Sequence, residues 1–317
     1  MTLVVKAADA ARLIDMAQAI AVTESVLAEQ ARGQVAVHPP FHLPVPDGAL
    51  RVVSGVLLES KRMGVRFGPA LGLTPASGIR DHLAALYGTD GALLALVSYP
   101  FTTLRTGASV GAATKHLAPP RIGRLGVIGT GRNALALLRG ITTARPVDEI
   151  RVFSRNPKAR ASFSASASEK FNRPILAVES NRDAVAEMDM LLVATSSLEP
   201  VFDCAWLKPG CFVASMGPIG ELPRDAFTRP GRKIVSSFEQ EKTPLRRSFL
   251  CDQVSEGRLR WEDIDELGDI VIGKAPAPQA GFTTIFHESA GGAGDVAFAD
   301  WVYREALRLG IGQEISL

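Results

Sequence analysis

The sequence predicts an α/β protein in which an α+β region precedes a doubly wound parallel sheet. Strand-like segments follow one another without intervening helices across residues 49–97. From residue 121 onward, short apolar strands alternate with helical segments, which is the pattern of a parallel sheet with helices on both faces. The chain of 317 residues is long enough for the two regions to form separate domains.

The composition argues against several functional classes. Hydrophobic residues make up 46% of the chain and charged residues 21%, as in a soluble globular protein. The net charge of +2 gives no broad basic surface for a nucleic acid. No apolar run is long enough for a membrane span, and residues 1–6 do not resemble a signal peptide. Three cysteines without zinc-like spacing predict reduced thiols, no metal site and a cytoplasmic location.

Residues 1–118 predict an α+β domain. Apolar positions at helical spacing over residues 8–32 indicate one amphipathic helix, and prolines between residues 38 and 48 indicate an edge strand that leads into a turn. An Ala-rich helix over residues 102–118 ends at Pro119-Pro120, where we place the domain boundary. The strand candidates are residues 50–58, 63–67, 82–87 and 93–97, with a hairpin turn at residues 88–91.

A strand, a glycine turn and the start of a helix follow one another over residues 124–134. Their spacing is GxGxxA, in which Gly129 permits a tight turn, Gly131 lets the backbone approach a pyrophosphate and Ala134 keeps the helix close to the strand. The N-terminus of that helix offers N–H groups and a partial positive charge to phosphates. Because a strand precedes the turn and a helix follows it, the motif predicts a dinucleotide site in a Rossmann domain over residues 119–294.

Further segments continue the alternation of strands and helices. The helix after the second strand has Asn156 as a good N-cap and Pro157 as a good first residue. A short helix is expected from residue 181, and an amphipathic helix over residues 296–310 comes last. The strand candidates are residues 149–154, 174–178, 190–195, 211–215 and 233–236, of which 190–195 is apolar throughout, as in a buried parallel sheet.

The end of the second strand of this domain bears on the choice between NAD and NADP. An acidic residue there usually binds the ribose 2′-hydroxyl of NAD, but this strand ends at Ser154, Arg155 and Asn156. These side chains can hydrogen-bond to a 2′-phosphate or pair with it, so we expect NADP in preference to NAD. The cofactor-binding residues that we expect are Gly129, Thr130, Gly131, Arg132, Asn133, Ser154, Arg155, Asn156, Thr195, Ser196, Met216 and Gly217.

Several stretches together resemble the ornithine cyclodeaminase/mu-crystallin family. The resemblance covers nearly the whole chain, and it is fairly specific where the LRT segment of residues 104–106 begins a helix shortly before the glycine turn. The terminal helix that is entered at Asp295 also fits. The matching stretches are residues 103–108 with 115–118, 125–131, 152–155, 192–197, 206–210, and 266–269 with 273–274.

The resemblance implies an organisation and a chemistry. It implies a substrate-binding and dimerisation domain of residues 1–118 completed by residues 295–317, a Rossmann domain of residues 119–294, and a homodimer. Family members include ornithine cyclodeaminase, alanine and N-alkyl amino acid dehydrogenases, cyclic imine reductases, and mu-crystallin, a NADPH-dependent ketimine reductase that also binds thyroid hormone. Their shared chemistry is hydride exchange between a nicotinamide and the α-carbon of a small amino or imino acid.

On the substrate side, the resemblance gives catalytic roles to two arginines. Arg105 matches the arginine of the family's LRT motif, which clamps the substrate carboxylate, a task that suits a planar bidentate donor. Arg66 stands where the family usually has a lysine, and a guanidinium can hold a carboxylate but does not readily release a proton. A further family arginine is replaced by Phe41, unless Arg51 takes its place.

The catalytic aspartate of the cyclodeaminase is replaced by Pro218-Ile219, and Glu221 can compensate only if the loop folds back. Cyclodeamination needs such a base, whereas reduction of a protonated cyclic imine mainly needs a held carboxylate and a hydride. We therefore expect an NAD(P)H-dependent enzyme that reduces a cyclic or N-alkyl imino acid of the pyrroline-2-carboxylate type. The alternatives are an ornithine cyclodeaminase, which makes proline and ammonia, and a non-catalytic protein that binds NADPH or another ligand.

Histidines supply two further features. His38, His42 or His82 can act as a proton donor because the ordinary pKa of histidine is about 6.5, although a lone histidine more often has a structural role. The segment His287-Glu288-Ser289 contains the residue types of a hydrolase triad. We discount that triad because adjacent strand positions point to opposite faces and the chain has no GxSxG elbow.

Overall fold

The computed structural model describes residues 1–70, 82–216, 219–229, 231–242, 249–276, 281–289 and 291–316. Contacts between residues divide the chain into two compact units, Met1–Arg105 with Ala290–Leu317 and Thr106–Ser289. These boundaries differ from the predicted ones, which lie after residue 118 and before residue 295. Within the second unit, Gly140 packs so closely that a Cβ atom there would overlap the Gly107 carbonyl oxygen, which ties residues 106–118 to that unit. A Cβ atom at Gly292 would likewise overlap the Ser54 carbonyl oxygen, which ties residues 291–294 to the first unit.

The helices and strands are numbered in chain order. The helices are α1 (Ala7–Ala10), α2 (Met16–Ala31), α3 (Thr102–Leu117), α4 (Ala134–Ala144), α5 (Pro157–Phe171), α6 (Phe238–Glu241), α7 (Phe249–Ser255), α8 (Leu267–Val271) and α9 (Gly292–Leu309). The strands are β1 (Thr2–Val5), β2 (Val35–Val45), β3 (Gly48–Leu57), β4 (Arg62–Ala70), β5 (Leu83–Gly88), β6 (Leu93–Ser98), β7 (Ile122–Ile128), β8 (Val147–Phe153), β9 (Leu176–Ala177), β10 (Met190–Val193), β11 (Phe212–Ser215), β12 (Arg232–Val235), β13 (Asp265–Glu266), β14 (Thr284–His287) and β15 (Gln313–Ile315).

The first unit is built on a mixed sheet with the strand order β15-β1-β6-β5-β4-β3-β2. Neighbouring strands run antiparallel, except that β1 and β6 are parallel. Helix α9 packs on one face, where the missing side chains of Gly55 and Gly64 make room for Ala293 and Val296. The predicted strands from residue 50 to residue 97 are confirmed, and the proline-rich segment lies in β2, at one edge of the sheet. Strands β1 and β15 were not predicted from the sequence.

The prediction of one helix over residues 8–32 is wrong, because α1 and α2 are separate. Asp15 ends the interruption with a capping box: its side chain accepts a hydrogen bond from the Gln18 backbone N–H at 2.8 Å, and the Gln18 side chain accepts one from the Asp15 N–H at 2.8 Å. Leu13 and Ile14, between the two helices, are buried. Apolar residues therefore continue across a segment that is not helical, which is why the sequence pattern showed no break.

The second unit is built on a parallel sheet with the strand order β13-β12-β14-β11-β10-β7-β8-β9. Every pair of neighbours in it is parallel, which confirms the predicted doubly wound α/β fold. The chain runs outward from β7 to β9 and then crosses to β10 on the other side of β7. The strand order therefore reverses between β7 and β10. In such sheets ligands bind beside this point, at the carboxyl ends of the strands.

Three details of the second unit differ from the sequence prediction. The strand predicted at residues 174–178 is reduced to the two residues of β9. A helix was expected from Asn181, but the chain forms turns there. In the first of them the Asn181 carbonyl oxygen accepts a hydrogen bond from the Ala184 N–H at 3.1 Å. Strand β14 lies between β11 and β12 and was not predicted, because its four residues are too short a run to show a period.

Candidate active site

A cavity of about 940 Å³ opens at the carboxyl ends of β7, β8, β10 and β11, and we call it the strand-end cavity. Its lining includes every described residue that the sequence assigned to cofactor binding, and Gly217 lies outside the described residues. Those lining residues are Gly129, Thr130, Gly131, Arg132, Asn133, Ser154, Arg155, Asn156, Thr195, Ser196 and Met216. The sequence did not indicate Asn181, Ser197, Glu199, Pro200 and Val201, which line the cavity as well.

The glycine turn shapes the wall of the cavity through its backbone. Gly129 has a φ of 109°, and a Cβ atom there would overlap the Ala194 carbonyl oxygen, so only glycine fits without strain. At Gly131, by contrast, a Cβ atom would meet nothing within 4 Å, so the backbone borders open space. Asn133 precedes α4 and its side chain makes no capping hydrogen bond. The turn and the N-terminus of α4 thus have the form of an anion cradle.

The end of β8 presents basic and neutral polar groups. The Ser154 hydroxyl donates to the Asn156 carbonyl oxygen at 3.3 Å, and the Asn156 side chain accepts from two N–H groups in the first turn of α5, at 3.0 and 3.2 Å. Arg155 is exposed and lines the cavity. Among the described lining residues the acid is Glu199, which lies after β10 and not at the end of β8.

A buried carboxylate supports the loop that follows β10. Glu221 is 0% exposed, and its Oε2 atom accepts hydrogen bonds from the Thr195 backbone N–H at 2.8 Å and hydroxyl at 2.7 Å. Its Oε1 atom accepts from the Ser215 hydroxyl at 2.8 Å. Glu221 therefore joins the ends of β10 and β11 beneath the cavity wall. These contacts argue against the idea that it replaces the missing cyclodeaminase aspartate, and the sequence did not reveal this supporting role.

Within the first unit, both predicted catalytic arginines contact one carboxylate. The Arg66 Nε atom donates to Asp295 Oδ2 at 2.9 Å, and the Arg105 Nε atom lies 3.1 Å from Asp295 Oδ1. The Tyr99 hydroxyl donates to Oδ1 at 2.8 Å. Asp295 and Arg66 are each 2% exposed and Arg105 is 8% exposed. We call Arg66, Tyr99, Arg105 and Asp295 the arginine cluster.

The charges of the arginine cluster shift the acidities of its members. Burial alone would raise the pKa of Asp295, but the positive charges of Arg105 and Arg66 outweigh it and hold that pKa below its ordinary value. Burial and the adjacent Asp295 charge raise the pKa of Tyr99 well above its ordinary value. Asp295 is therefore ionised and Tyr99 is protonated at neutral pH, so the hydroxyl is a stable donor to the carboxylate.

The sheet register brings further basic groups toward this cluster. Arg66 of β4 pairs with Val53 of β3, and Val53 lies two positions after Arg51. Because side chains alternate along a strand, Arg51 and Arg66 lie on the same face of the sheet, the one that α9 covers. His82 is half-buried, and burial, followed by the charges of Arg66 and Arg51, lowers its pKa although Asp295 acts in the opposite direction. Its imidazole is consequently neutral at neutral pH. The pKa of His82 thus responds to two members of the cluster, Arg66 and Asp295.

The other candidates lie on β2 and in the second unit. Phe41 is 42% exposed in β2, His38 is exposed, and burial together with Arg51 lowers the pKa of His42. The buried His287 pairs through Nδ1 with Glu241 Oε1 at 2.7 Å. The acid of this pair is Glu241 and not Glu288 of the discounted triad, and the Ser289 hydroxyl lies 3.2 Å from the Ser236 hydroxyl.

The described ranges contain no group of histidine, cysteine and acidic residues that could hold a metal ion. None of the helices within them is long and apolar enough to cross a membrane.

Sequence reasoning missed Asp295 and Tyr99 as partners of the arginines. Asp295 did carry a signal, because it is an acidic residue in the first turn of α9 directly before the buried apolar residues Val296 and Phe298. A carboxylate at the start of an apolar helix face is expected to have a buried cationic partner. The sequence offered no comparable signal for Tyr99.

Known proteins resemble the chain in sequence and in structure. A family model described as the ornithine cyclodeaminase/mu-crystallin family matches residues 1–309. Delta(1)-pyrroline-2-carboxylate reductase from Bacillus cereus is 31% identical over 273 residues, which cover 84% of this chain and 80% of that protein.

Two solved structures share the fold over nearly their full length. Thermococcus litoralis Delta(1)-pyrroline-2-carboxylate reductase, in complex with NADH and L-proline, has a TM-score of 0.87 at 28% identity, covering 99% of this chain and 100% of that chain. The iminosuccinate reductase of Paracoccus denitrificans, in complex with NAD⁺, has a TM-score of 0.91 at 25% identity, covering 100% and 99%. The family indicated by the sequence motifs is confirmed: the chain belongs to the ornithine cyclodeaminase/mu-crystallin family.

Proposed function

We propose that the protein is an NAD(P)H-dependent reductase that converts a small cyclic or N-alkyl imino acid of the pyrroline-2-carboxylate type to the amino acid. The observation that carries the proposal is the pair of buried arginines, Arg66 and Arg105, because a buried guanidinium pair suits the carboxylate of a small substrate. The pyrroline-2-carboxylate reductases that resemble the chain act on a substrate of this type.

The strand-end cavity fits the dinucleotide. Open space at Gly131 and the N-terminus of α4 suit a pyrophosphate, and the cavity volume of about 940 Å³ suits a large ligand. When bound, the reduced nicotinamide supplies the hydride. Thr195, whose N–H and hydroxyl donate to Glu221, and the adjacent Ser196 form the wall at the end of β10.

We further propose that NADP(H) is preferred to NAD(H). Arg155 is exposed on the cavity lining, and β8 ends without the carboxylate that would repel a 2′-phosphate. Ser154 and Asn156 present a hydroxyl and an amide beside it. NAD(H) is the alternative, because the two solved relatives are complexes with NADH and NAD⁺.

The chemistry of reduction matches the residues of the first unit. A cyclic imine is protonated near neutral pH, so a hydride can add to its carbon without a strong general acid. Arg66 and Arg105 would hold the substrate carboxylate, and neither is a good proton donor. Cyclodeamination needs a base, whereas Asp295 is occupied by Arg66 and Tyr99, and Glu221 by Thr195 and Ser215.

We also propose a homodimer formed by the first unit. The residues Val56, Met63, Val65 and Tyr87 line a depression of about 530 Å³ on the first sheet. Strand alternation places them on the face opposite to α9, where a second copy of the sheet can cover them. Sedimentation or light scattering should give twice the monomer mass, and Met63→Glu should shift it toward the monomer.

The three cysteines are free thiols, which supports a reducing, cytoplasmic location.

A substrate screen tests the proposed activity. Oxidation of NADPH and NADH is followed with pyrroline-2-carboxylate, piperideine-2-carboxylate, and pyruvate with methylamine, and ornithine is tested separately for ammonia release. We expect oxidation of NADPH with at least one imine and no ammonia from ornithine. Proline and ammonia from ornithine with no imine reduction would indicate a cyclodeaminase, and tight NADPH binding without any turnover would indicate a non-catalytic protein.

A further inference from the structure

Asp295 contacts both arginines and Tyr99 at the same time, although the four residues come from separate parts of the chain. It lies in the first turn of α9, directly after a glycine-rich entry. A Cβ atom at Gly294 would lie 3.3 Å from Arg105 Cδ, so glycine leaves room for the Arg105 side chain to pass. The start of α9 therefore leaves space for the Arg105 side chain at Gly294 and places the negative charge of Asp295 beside its guanidinium.

The charges of the cluster are unequal in number. Arg66 and Arg105 contribute two positive charges and Asp295 one negative charge, while Tyr99 is neutral. Buried charges are costly unless they are paired, so Asp295 offsets part of the cost of burying two guanidinium groups. A substrate carboxylate would add a second negative charge beside them.

The contacts also fix the direction of each guanidinium. The Arg66 Nε atom, the guanidinium nitrogen nearest the backbone, donates to Asp295, and the Arg105 Nε atom lies at an ion-pair distance of 3.1 Å from the same carboxylate. A carboxylate can pair bidentately with the two terminal Nη atoms of an arginine, and that edge lies beyond Nε along the side chain. Restraint at Nε therefore sets where the terminal edges of Arg66 and Arg105 lie. The Tyr99 hydroxyl donates to the same carboxylate and so restrains the position of Asp295.

We propose that Asp295 is a positioning residue that holds Arg66 and Arg105 in the arrangement that binds the carboxylate of the imino acid. This inference rests on the proposed function. It adds to it a specificity determinant that never touches the reacting atoms. Asp295 acts only through the two arginines, so its loss should harm substrates that carry a carboxylate and spare those that do not.

The chain offers a matched control on the same helix. Asp300 also lies on α9 between two arginines, with Arg62 Nε at 2.5 Å and Arg304 Nε at 2.9 Å. It is 7% exposed, and its arginine partners are more exposed than those of Asp295, so Asp300→Asn breaks two ion pairs of α9 at a less buried position. The two variants and the wild type are compared in thermal unfolding, NADPH affinity, and steady-state kinetics with pyrroline-2-carboxylate and with 1-pyrroline, which lacks the carboxylate.

We expect Asp295→Asn to lower kcat/KM for pyrroline-2-carboxylate by about 100-fold, mainly through a higher KM, because two charge-assisted contacts lose their geometry. For 1-pyrroline the change should stay within about threefold, and NADPH affinity within about twofold. Asp300→Asn should lower the melting temperature but alter both substrates by the same factor. A loss of the preference for the carboxylated imine in the Asp295 variant alone supports the proposal.

Equal effects of the two variants, or an Asp295→Asn protein that keeps the preference, would overturn the inference and leave the proposed function intact. A wild-type protein that reduces neither imine would overturn the proposed function and the inference with it. If Asp295→Asn does not fold, Tyr99→Phe replaces it, because it removes the hydroxyl and keeps the ring that packs edge-on at 5.1 Å from Phe101. A several-fold loss of the preference then supports the positioning role, and an unchanged preference contradicts it.

Discussion

The strand-end cavity of the second unit and the arginine cluster of the first unit are built in different ways. The cavity owes its shape to backbone: a glycine turn at positive φ, the N-terminus of α4, and strand ends fixed by Glu221. The cluster owes its shape to side chains, with Asp295 of α9 holding an arginine of β4 and an arginine of α3. We propose that a ligand in the cavity is recognised mainly by peptide N–H groups and a ligand at the cluster by charge.

This difference determines how each region can change. A backbone cradle tolerates many side chains as long as the turn keeps its glycines, so the cavity can be retained while substrates diverge. A buried charge cluster is sensitive to each member, because removing one partner leaves another uncompensated. Substitutions in the cluster should therefore act on the substrate, and substitutions in the turn should act on the cofactor.

The largest effect is expected at Arg105. Arg105→Ala should lower kcat/KM for pyrroline-2-carboxylate by about 100- to 1,000-fold, because a bidentate charged contact of about 3–4 kcal/mol is lost. NADPH affinity, measured by fluorescence titration, should change by less than about twofold. Arg62→Ala serves as the control, since Arg62 belongs to the same unit and pairs with Asp300 instead. An equal loss of substrate turnover and NADPH affinity in Arg105→Ala would show that the two regions are not separable in this way.

The next effect is expected at the glycine turn, and it should be confined to the cofactor. Gly131→Val should weaken NADPH binding by about 100-fold and leave the melting temperature nearly unchanged, because its side chain enters open space at the proposed pyrophosphate position. Gly129→Ala should lower both, since its φ of 109° and its contact with Ala194 leave no room for a Cβ atom. Calorimetry and binding titration of both variants check this, and a Gly131→Val protein with normal affinity would contradict the proposed cradle.

The sequence predicted the cavity well because its parts are local. The GxGxxA spacing places the turn and the helix N-terminus within eleven consecutive residues, and a strand must precede them for the motif to work. Ser154 and Arg155 follow directly from where the next strand ends. The supporting role of Glu221 was not predicted, because only the packing of β10 against β11 brings its carboxylate to Thr195 and Ser215.

The sequence predicted only half of the arginine cluster. Arg66 and Arg105 were found through resemblance to a family, and nothing in the periodicity of their segments marks them. Asp295 lies 190 residues after Arg105 and 229 residues after Arg66, so their contact depends on the return of α9 to the first sheet. The resemblance implied that return, but register and rotation of the helix decide which side chain arrives at the arginines, and neither can be obtained from spacing alone.

A smaller effect should separate the two forms of the cofactor. Arg155→Ala should weaken NADPH binding by about tenfold and change NADH binding by less than about twofold, because a single exposed guanidinium would pair with the 2′-phosphate. Arg151→Ala is a suitable control, since Arg151 lies on β8, just before Arg155 in the chain, and pairs with Glu149. Equal affinities for NADPH and NADH in the wild type would contradict the proposed preference and leave the cradle unaffected.

The smallest effect concerns the reach of the cluster's charge. In the folded protein, burial and the charges of Arg66 and Arg51 lower the pKa of His82, while Asp295 and the Pro69 carbonyl act against them. The unfolded chain therefore takes up a proton at a higher pH than the folded chain, so this contribution to stability is present above a pH of about 6.5 and is lost as the pH falls below it.

The His82→Asn variant should accordingly lose less stability than the wild type when the pH is lowered from about 7.5 to about 5.5, by a difference of about 1–2 °C in melting temperature. The same pH dependence in the variant and the wild type would mean that solvent screens the charges of the arginines from His82. The arginine cluster would then influence a ligand only by direct contact, as the backbone of the strand-end cavity does.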